Sequence, residues 1–438
     1  MKTSFIKDIW NNIKCFFLLV SKYWKISTFA VDKFLSFIGE KFLYYFKKVD
    51  TYIYLIAVIV LALIARSYML DFISGDVRSF IKNWYSVIYN QGIYTALGQS
   101  IGDYTPAYLY ILSFISLFRI DPESIKFIHA VKYVSIFFDL LTAVYSYLII
   151  YKITKNKSYG ILGAGLFLFL PTVMLNSSMW GQCDSIYACF ILMSIYYLLG
   201  NHQRTSLIMY GISFAFKLQA IFVLPIYLIL MLRGKVKFRY FLWLPLVYII
   251  FAIPSACCGR SFGEIMKIYF NQSGSYAFLT LNAPTIYMFI ANNFVQTEQN
   301  DLMLGAATLF ALFVLGTTLF FIYKKELELD VKNIVKVAYL FSLLAPFVLP
   351  RMHERYFYLS EMLAVIYFVL NMKKCYIPLL GLFGTITGYN RYLLGVTWLD
   401  ANTTLRIGAT FIAAALVLLF IDVFKSDKAK EKQVELTC

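Results

Sequence analysis

The chain has 438 residues, a formal net charge of +16 at pH 7, 60% hydrophobic residues and 19% aromatic residues. Its mean hydropathy of +0.69 lies far above that of a soluble domain. These values exclude a soluble enzyme and predict an all-α integral membrane protein, because helices satisfy their own backbone hydrogen bonds in lipid. Continuous rather than alternating apolar runs exclude a transmembrane barrel.

The positive charge does not indicate nucleic acid, because the basic residues fall in short loops between apolar segments and at both ends of the chain. That distribution is typical of the cytoplasmic side of a membrane protein and of contact with anionic membrane lipids. The seven cysteines show neither metal-ligand spacing nor a disulfide framework.

Three parts of the chain differ in composition. Residues 1–51 interleave lysines with aromatic side chains, and their longest apolar run, Cys15–Val20, is too short to span a membrane. We expect this segment to lie on the cytoplasmic face as amphipathic helix. Residues 52–425 form the membrane domain, and residues 426–438 form a cytoplasmic tail.

The membrane domain begins with a span over Tyr52–Leu70, followed by a long first outer loop, residues 71–126, that carries short helices. Within this loop Pro106–Phe118 is apolar but short, so we expect a helix in the outer interface. Further spans are predicted over Phe127–Tyr151, Ser158–Leu175, Ile186–Leu199, Thr205–Leu232, Tyr240–Ala256, Leu302–Tyr323, Ile334–Leu349, Tyr356–Leu370, Ile377–Tyr389 and Thr404–Phe424. The expected architecture is a polytopic bundle of about 11–12 spans.

Thr205–Leu232 is anomalous, because basic residues flank both of its ends and Lys217 lies near its middle. About 28 residues are long for one crossing and too short for two. Two short helices that meet inside the membrane would explain both features. A single tilted span with Lys217 extended toward the interface is the alternative.

With this topology both termini are cytoplasmic in a multi-pass cell-membrane protein, and polar candidates collect on the extracytoplasmic face. Asp76 and Asp103 each follow a glycine in the first outer loop, where backbone can turn sharply. We expect Asp76 to be a general base, with Asp103 as second candidate. The alternative is that these residues only cap helices.

Four cationic or titratable side chains could bind a lipid phosphate at the outer edge of the membrane. They are Lys217, Arg351, His353 and Arg355. A charge inside the membrane indicates function by default, and arginine suits bidentate contact with phosphate.

A lipid phosphate of this kind could carry a sugar that the protein transfers to an acceptor. A second group of polar side chains could bind that sugar or its acceptor: Trp180, Gln182, Asp184, Gln219, Asn282 and Glu354. Trp180 could instead anchor the membrane interface, and Gln182 and Asp184 could cap the helix that starts at Ser185. Glu354 could pair with Arg351 or Arg355. No cofactor is expected. The alternative is a divalent metal ion at Asp184, which has weak support because no second acid lies close to this residue in sequence.

Several segments together resemble a known family. Gly-Asp after the first span, DYTPAYLY, NSSMWGQCDSIY, FKLQAIFVLP and MHERYFY stand in the order seen in GT-C fold glycosyltransferases. The chain resembles bacterial proteins that are similar to the second mannosyltransferase of GPI-anchor assembly, over roughly residues 52–425. The first outer loop departs from the paired-acid form of the motif, because Val77 and Arg78 follow Asp76.

The resemblance implies transfer of a hexose, often mannose, from a polyprenyl-phosphate carrier to an extracytoplasmic glycan or glycolipid, with inversion. It places the catalytic acid at Asp76 and phosphate contacts at Lys217 and His353–Arg355. The rival hypothesis is a transporter or flippase of lipid-linked sugars. It predicts internal repeats, which this sequence does not display. A third hypothesis is a purely structural membrane scaffold. It does not explain the charged side chain of Lys217 near the middle of an apolar segment.

Overall fold

The computed structural model describes residues 18, 22, 28, 29, 31–41, 51–274, 276–296, 300–325, 330–395 and 399–425. The predicted amphipathic segment over residues 1–51 lies mostly outside the described residues, and the predicted tail over residues 426–438 lies wholly outside them. Almost every regular element in the described part is a helix, which confirms the all-α class.

The helices follow one another along the chain, with one pair of very short strands. They are α1 (residues 31–41), α2 (Thr51–Ser67), α3 (Lys82–Gln91), α4 (Ile93–Leu97), α5 (Pro106–Ser116), α6 (Ile125–Thr154), α7 (Lys157–Leu168), α8 (Pro171–Met174), α9 (Asp184–Leu199), α10 (Gln203–Phe216), α11 (Leu224–Leu232), α12 (Trp243–Cys257), α13 (Phe262–Gly274), α14 (Asn300–Lys324), α15 (Val331–Val348), α16 (Tyr358–Leu370), α17 (Tyr376–Leu394) and α18 (Ala401–Lys425). The strands are β1 (Thr280–Leu281) and β2 (Met352–His353), which pair in parallel.

Five helices of the described part are long and apolar enough to cross a membrane: α6, α12, α14, α15 and α18, where the span of α12 includes the preceding turn from Phe238. A sixth results if α7 and Pro171–Trp180, which are bent by 52° relative to each other, count as one. Shorter apolar helices occur at Ile53–Ser67, Pro106–Ser116, Asp184–Leu199 and Leu218–Leu232. The protein is therefore an all-helical membrane protein by length and composition, and the total of 11–12 spans stays a prediction.

Helices α15 and α16 form the centre of the bundle. Almost every residue of both helices is buried, because their sequences are apolar on all sides, which is the pattern of a helix without a solvent-facing stripe. Helices α6, α7, α9 and α18 pack around them in one continuous apolar core. The first outer loop has a smaller core of its own, built from α3, α4, α5 and the start of α6.

Irregular turns interrupt the helices where the polar candidates lie. Two turns are π-helical, Val77–Ile81 and Leu175–Trp180, and π-helical turns are frequent at functional sites. The Gly, Ser, Asn and Pro content of the segment Cys257–Asp301 predicts a loop with a short helix at Pro284–Ile290. The segment also contains the 13-residue helix α13. The loop prediction was wrong there, because the helix includes Gly263 and Asn271 within its length.

Buried polar contacts connect α6 to α2 and to the start of the first outer loop. Arg66 on α2 pairs with Asp139 on α6, with 3.2 Å between Nη2 and Oδ2, and both side chains are almost fully buried. About two turns earlier on α6, Lys132 donates from Nζ to the carbonyls of Met69, Leu70 and Phe72 over 2.6–2.9 Å. These contacts fix the chain directly before Asp76.

Candidate active site

One large cavity lies between the first outer loop and the ends of the central helices. Its volume is about 690 Å³. Eight predicted site residues line it: Asp76, Asp103, Gln182, Gln219, Arg351, His353, Glu354 and Arg355. The apolar segments between these positions in the sequence bring them to the same end of the bundle.

Asp76 stands at the start of the π-helical turn Val77–Ile81, but its side chain does not cap that turn. The side chain of Ser74 caps the turn instead. Its Oγ accepts from the backbone N–H of Val77 at 3.2 Å and donates to the carbonyl of Trp180 at 2.7 Å. The carboxylate of Asp76 is therefore free to face the cavity, and the helix-cap alternative does not apply to it.

Four side chains donate hydrogen bonds to the Asp76 carboxylate. Oδ2 accepts from Trp180 Nε1 at 3.1 Å, from Gln182 Nε2 at 2.5 Å and from Arg355 Nη1 at 2.7 Å. Oδ1 accepts from the hydroxyl of Tyr392 at 2.6 Å. The carboxylate is thus held at a fixed orientation by residues from three distant parts of the chain.

A glycine turn aims Trp180 and Gln182 at Asp76. The intervening Gly181 has φ of 75°, a left-handed conformation that glycine adopts at little cost. The carbonyl of Gln182 accepts from Ser135 Oγ at 2.6 Å, which anchors this turn to α6. Trp180 is fully buried and does not line the cavity, so it supports Asp76 from behind and is not available for stacking on a sugar in this arrangement.

The helix break predicted at Lys217 is confirmed. Helix α10 ends at Phe216, Lys217 is extended with φ of −153°, and a 3-10 turn begins at Leu218. The Lys217 ammonium forms an ion pair with Asp184, and neither residue lines the cavity. The partner expected for Lys217 was a lipid phosphate; in this structure its charge is matched by a carboxylate of the protein.

Asp184 does not act as a helix cap. It lies in the first turn of α9, and no side chain caps that helix. Its Oδ2 accepts from Asn176 Nδ2 at 2.9 Å, and Asn176 also lies 3.4 Å from the hydroxyl of Tyr389. Asp184 therefore joins the ends of α9, α10 and the Leu175–Trp180 turn beside the cavity.

The segment from Arg351 to Arg355 crosses the cavity wall. Arg351 has φ of 64°, its backbone N–H donates to the carbonyl of Leu279 at 3.0 Å, and its Nε donates to the carbonyl of Tyr276 at 2.7 Å. The chain then enters β2, where His353 is paired with Leu281 and bridged to Asn282. Asn282 thus supports His353 through the backbone and does not line the cavity.

Burial controls the charges of this segment. It raises the pKa of the Glu354 carboxyl to about 8, an effect that the Arg355 guanidinium opposes. It also holds the pKa of His353 well below its usual value, together with the positive charges of Arg355 and Lys217. His353 is therefore neutral at pH 7, and the neutral acid is the main form of Glu354.

Several buried polar atoms of the site have no hydrogen-bond partner among the described residues: Gln219 Oε1, His353 Nε2, Glu354 Oε2 and Arg355 Nε. This oxygen of Glu354 therefore does not make the alternative pairing with Arg351 or Arg355. Buried polar groups are nearly always satisfied in folded proteins. Unpartnered atoms of three adjacent cavity-lining residues indicate a polar ligand.

The other end of the cavity is apolar. Leu218, Ile221, Leu224, Leu228, Leu312, Leu315, Ala345 and Leu349 line it, from the segment after Lys217 and from α14 and α15. Two of these side chains, Ile221 and Leu312, are 40% and 57% exposed. The apolar end therefore reaches the outer surface of the bundle, where a lipid tail could enter between helices.

Sequence reasoning missed several aromatic and amide side chains of the site: Trp84, Tyr104, Tyr276, Tyr356, Tyr392 and Gln272 line the cavity as well. Tyr392 stacks on Trp180 with ring centroids 4.7 Å apart and bonds to Asp76. With 35 tyrosines in the chain, no local signal distinguishes this one. Among the described residues, no three His, Cys, Asp or Glu side chains come together as a metal site would require.

Asp103, the second candidate for the base, also lies at the cavity but stands apart from the Asp76 contacts. Its side chain is exposed, and within the described part of the chain its hydrogen bond is made by the backbone carbonyl, which accepts from Gln272 Nε2 at 2.7 Å. The geometry therefore favours Asp76 as the residue around which the site is built.

Comparison with known proteins adds no relative. No protein-family model matches the chain, and no curated protein matches it.

Proposed function

We propose that this protein is an integral membrane glycosyltransferase that transfers a hexose from a polyprenyl-phosphate sugar to a glycan or glycolipid. One observation carries the proposal. A single cavity combines an apolar end open to the bundle surface with a polar end that holds Asp76, His353 and Arg355. A donor with a lipid tail and a phosphate-linked sugar has the same division into apolar and charged parts.

The chemistry needs few groups. The acceptor hydroxyl attacks the anomeric carbon, and the bond between that carbon and the phosphate oxygen breaks with its electron pair leaving on polyprenyl phosphate. The hydroxyl proton passes to Asp76, which acts as general base. Arg355, Arg351 and neutral His353 stabilise the negative charge that develops on the departing phosphate. The displacement inverts the anomeric carbon and needs no covalent intermediate.

The finer parts of the proposal rest on the motif resemblance given above. They are a GT-C fold, a mannose-like sugar, cytoplasmic termini and a site on the extracytoplasmic face. The segregation of lysine-rich loops from the cavity-lining residues supports this orientation. The ion pair between Lys217 and Asp184 restricts Lys217 to a supporting role until a ligand competes for it.

The test is donor consumption by purified protein in detergent, with radiolabelled polyprenyl-phosphate mannose. We expect turnover by the natural protein and a loss of about 10²–10⁴-fold in Asp76→Asn, the range for removal of a general base. The matched control is Asp71→Asn, an exposed acid of the same loop that does not line the cavity. Transport of the intact lipid into sealed vesicles without any turnover would contradict the transferase and favour the flippase.

A further inference from the structure

Oδ2 of the Asp76 carboxylate accepts more hydrogen bonds in this structure than it has lone-pair sites. A carboxylate oxygen offers about two lone-pair sites, yet Oδ2 accepts from Trp180, Gln182 and Arg355 together. Oδ1 accepts from Tyr392. A base in this condition has no lone pair on Oδ2 for the proton of an acceptor hydroxyl.

Two of these four donors are held firmly in place. Trp180 is buried between the rings of Tyr389 and Tyr392. The Gln182 backbone is tied to Ser135. The neutral N–H and O–H groups of Trp180, Gln182 and Tyr392 also gain less from an approaching anion than a cation does. These donors are suited to orient Asp76 throughout a reaction cycle.

Arg355 differs from them in its contacts. Asp76 is the sole hydrogen-bond partner of its side chain in the described part of the chain. Its Nε is buried and unpartnered, and its guanidinium lies over the rings of Trp180 and Tyr356, at 5.5 and 5.9 Å from their centroids. A planar group held between rings can shift within their plane and keep its packing.

A phosphate that enters the cavity has few other cations to bind. His353 is neutral, and Lys217 is paired with Asp184 behind the lining. The cationic residues of the lining that remain are Arg351 and Arg355. Phosphate accepts bidentate hydrogen bonds from a guanidinium, so it competes directly with Asp76 for Arg355.

We infer that Arg355 is shared between Asp76 and the donor phosphate, and that this sharing imposes an order on the reaction. Before the donor binds, Arg355 occupies the place beside Oδ2 that an acceptor hydroxyl would need. The phosphate draws Arg355 away and opens this side of Oδ2 to the hydroxyl, while Trp180 and Gln182 keep the carboxylate oriented. The acceptor is therefore activated only after the donor is in place. This inference rests on the proposed function, because the donor phosphate is the trigger.

The experiment measures how readily Asp76 reacts with a water-soluble carbodiimide and an amine, read by mass spectrometry of the modified peptide. The full-length protein in detergent is labelled alone and with polyprenyl phosphate, whose binding is followed separately by native mass spectrometry. Arg355→Ala is labelled without lipid. Arg351→Ala is the control, since Arg351 lines the same cavity but does not bond to Asp76. Thermal unfolding of each variant verifies that it is folded.

We expect labelling of Asp76 to rise about tenfold with bound lipid and in lipid-free Arg355→Ala, the factor that loss of a charged hydrogen bond predicts. It should stay at the natural level in lipid-free Arg351→Ala. Equal labelling of Arg355→Ala and the natural protein overturns the inference. So does bound lipid that leaves Asp76 protected. If polyprenyl phosphate fails to bind while labelling of Asp76 still rises in Arg355→Ala, the proposed donor is wrong and cannot be what releases Arg355. The conclusion that Arg355 limits access to Asp76 would still hold.

Discussion

Arg355 and Asp76 are 279 positions apart in the sequence, and their side chains meet over 2.7 Å at the wall of the cavity. Both side chains are largely buried, at 12% and 15% exposure. The contact joins the first outer loop to the turn between the two central helices. Residues around either partner are therefore expected to affect the site or the stability of the fold, and five predictions test this.

Gly388 on α17 lies against the site segment. A Cβ atom at this position would stand 2.5 Å from Glu354 Cβ and 2.6 Å from the carbonyl oxygen of Asn282. We expect Gly388→Ala to reduce the free energy of unfolding by about 1–3 kcal/mol, because the backbone on one side cannot yield. Donor binding should weaken as well, since the clash moves Glu354.

Gly316 on α14 is the matched control, because a Cβ there meets nothing within 4 Å. Gly316→Ala should leave stability unchanged or raise it by up to about 1 kcal/mol, the usual gain from alanine in a helix. Both variants are compared by thermal unfolding in the same detergent. Equal stability of the two would show that the α17 contact has no energetic weight.

Glu354 gives stability a pH dependence. Its pKa is about 8 in the folded protein against an ordinary 4.5, so the folded state binds the proton more tightly than the unfolded state. The contribution of this group is full below about pH 4.5, decreases as the pH rises, and is lost above about pH 8. Glu354→Gln should remove this decrease, as measured by unfolding midpoints across that interval.

The same ionisation should affect donor binding. Above about pH 8 the Glu354 carboxylate is charged and faces the phosphate-binding end of the cavity, so the affinity for polyprenyl phosphate should fall. In Glu354→Gln the affinity should stay level through this range. A parallel fall in the variant would assign the pH dependence to another group.

The buried pair of Arg66 and Asp139 should be important for stability. Asp139 also accepts from Ser177 Oγ at 2.6 Å and from the hydroxyl of Tyr358 at 3.1 Å. Arg66→Met leaves this carboxylate buried without its cation, and we expect a loss of about 3–5 kcal/mol. The control Lys82→Met breaks the exposed pair with Glu123 and should cost at most about 1 kcal/mol. A similar small loss in both variants would contradict the prediction.

Lys132 should act on the site through the backbone. Its three donors are all used by the carbonyls of Met69, Leu70 and Phe72. We expect Lys132→Met to raise the rate of hydrogen exchange in residues 69–76 and to lower transfer, because Asp76 loses its support. Lys126→Met, an exposed lysine on the same helix, should change neither quantity. Unchanged exchange in Lys132→Met would mean that the loop is held by other contacts.

Helix positions were largely predictable from the sequence. Each long apolar segment predicted to span the membrane forms helix in the described part of the chain, because backbone groups within such a segment have no other partner in lipid. The break at Lys217 was also predictable, since the segment was too long for one crossing and carried a charge at its middle. The helix α13 was missed, because Gly, Ser and Asn residues within and around it favour a loop.

The site was predictable in part. Polar residues that interrupt apolar sequence stand out, and eight of those selected do line the cavity. Their pairings were not predictable. Arg355 rather than Lys217 reaches Asp76, Lys217 pairs with Asp184, and Trp180 lies behind the carboxylate.

By itself, then, the sequence determined the membrane class, the helices and the residue types that gather at one end of the bundle. These properties depend on local composition and on the cost of burying backbone and charge. Only the tertiary structure decided which acid meets which cation, that Tyr392 binds Asp76, and that the cavity has one apolar and one polar end. Such contacts depend on how helices hundreds of residues apart pack together, and no local pattern records that packing.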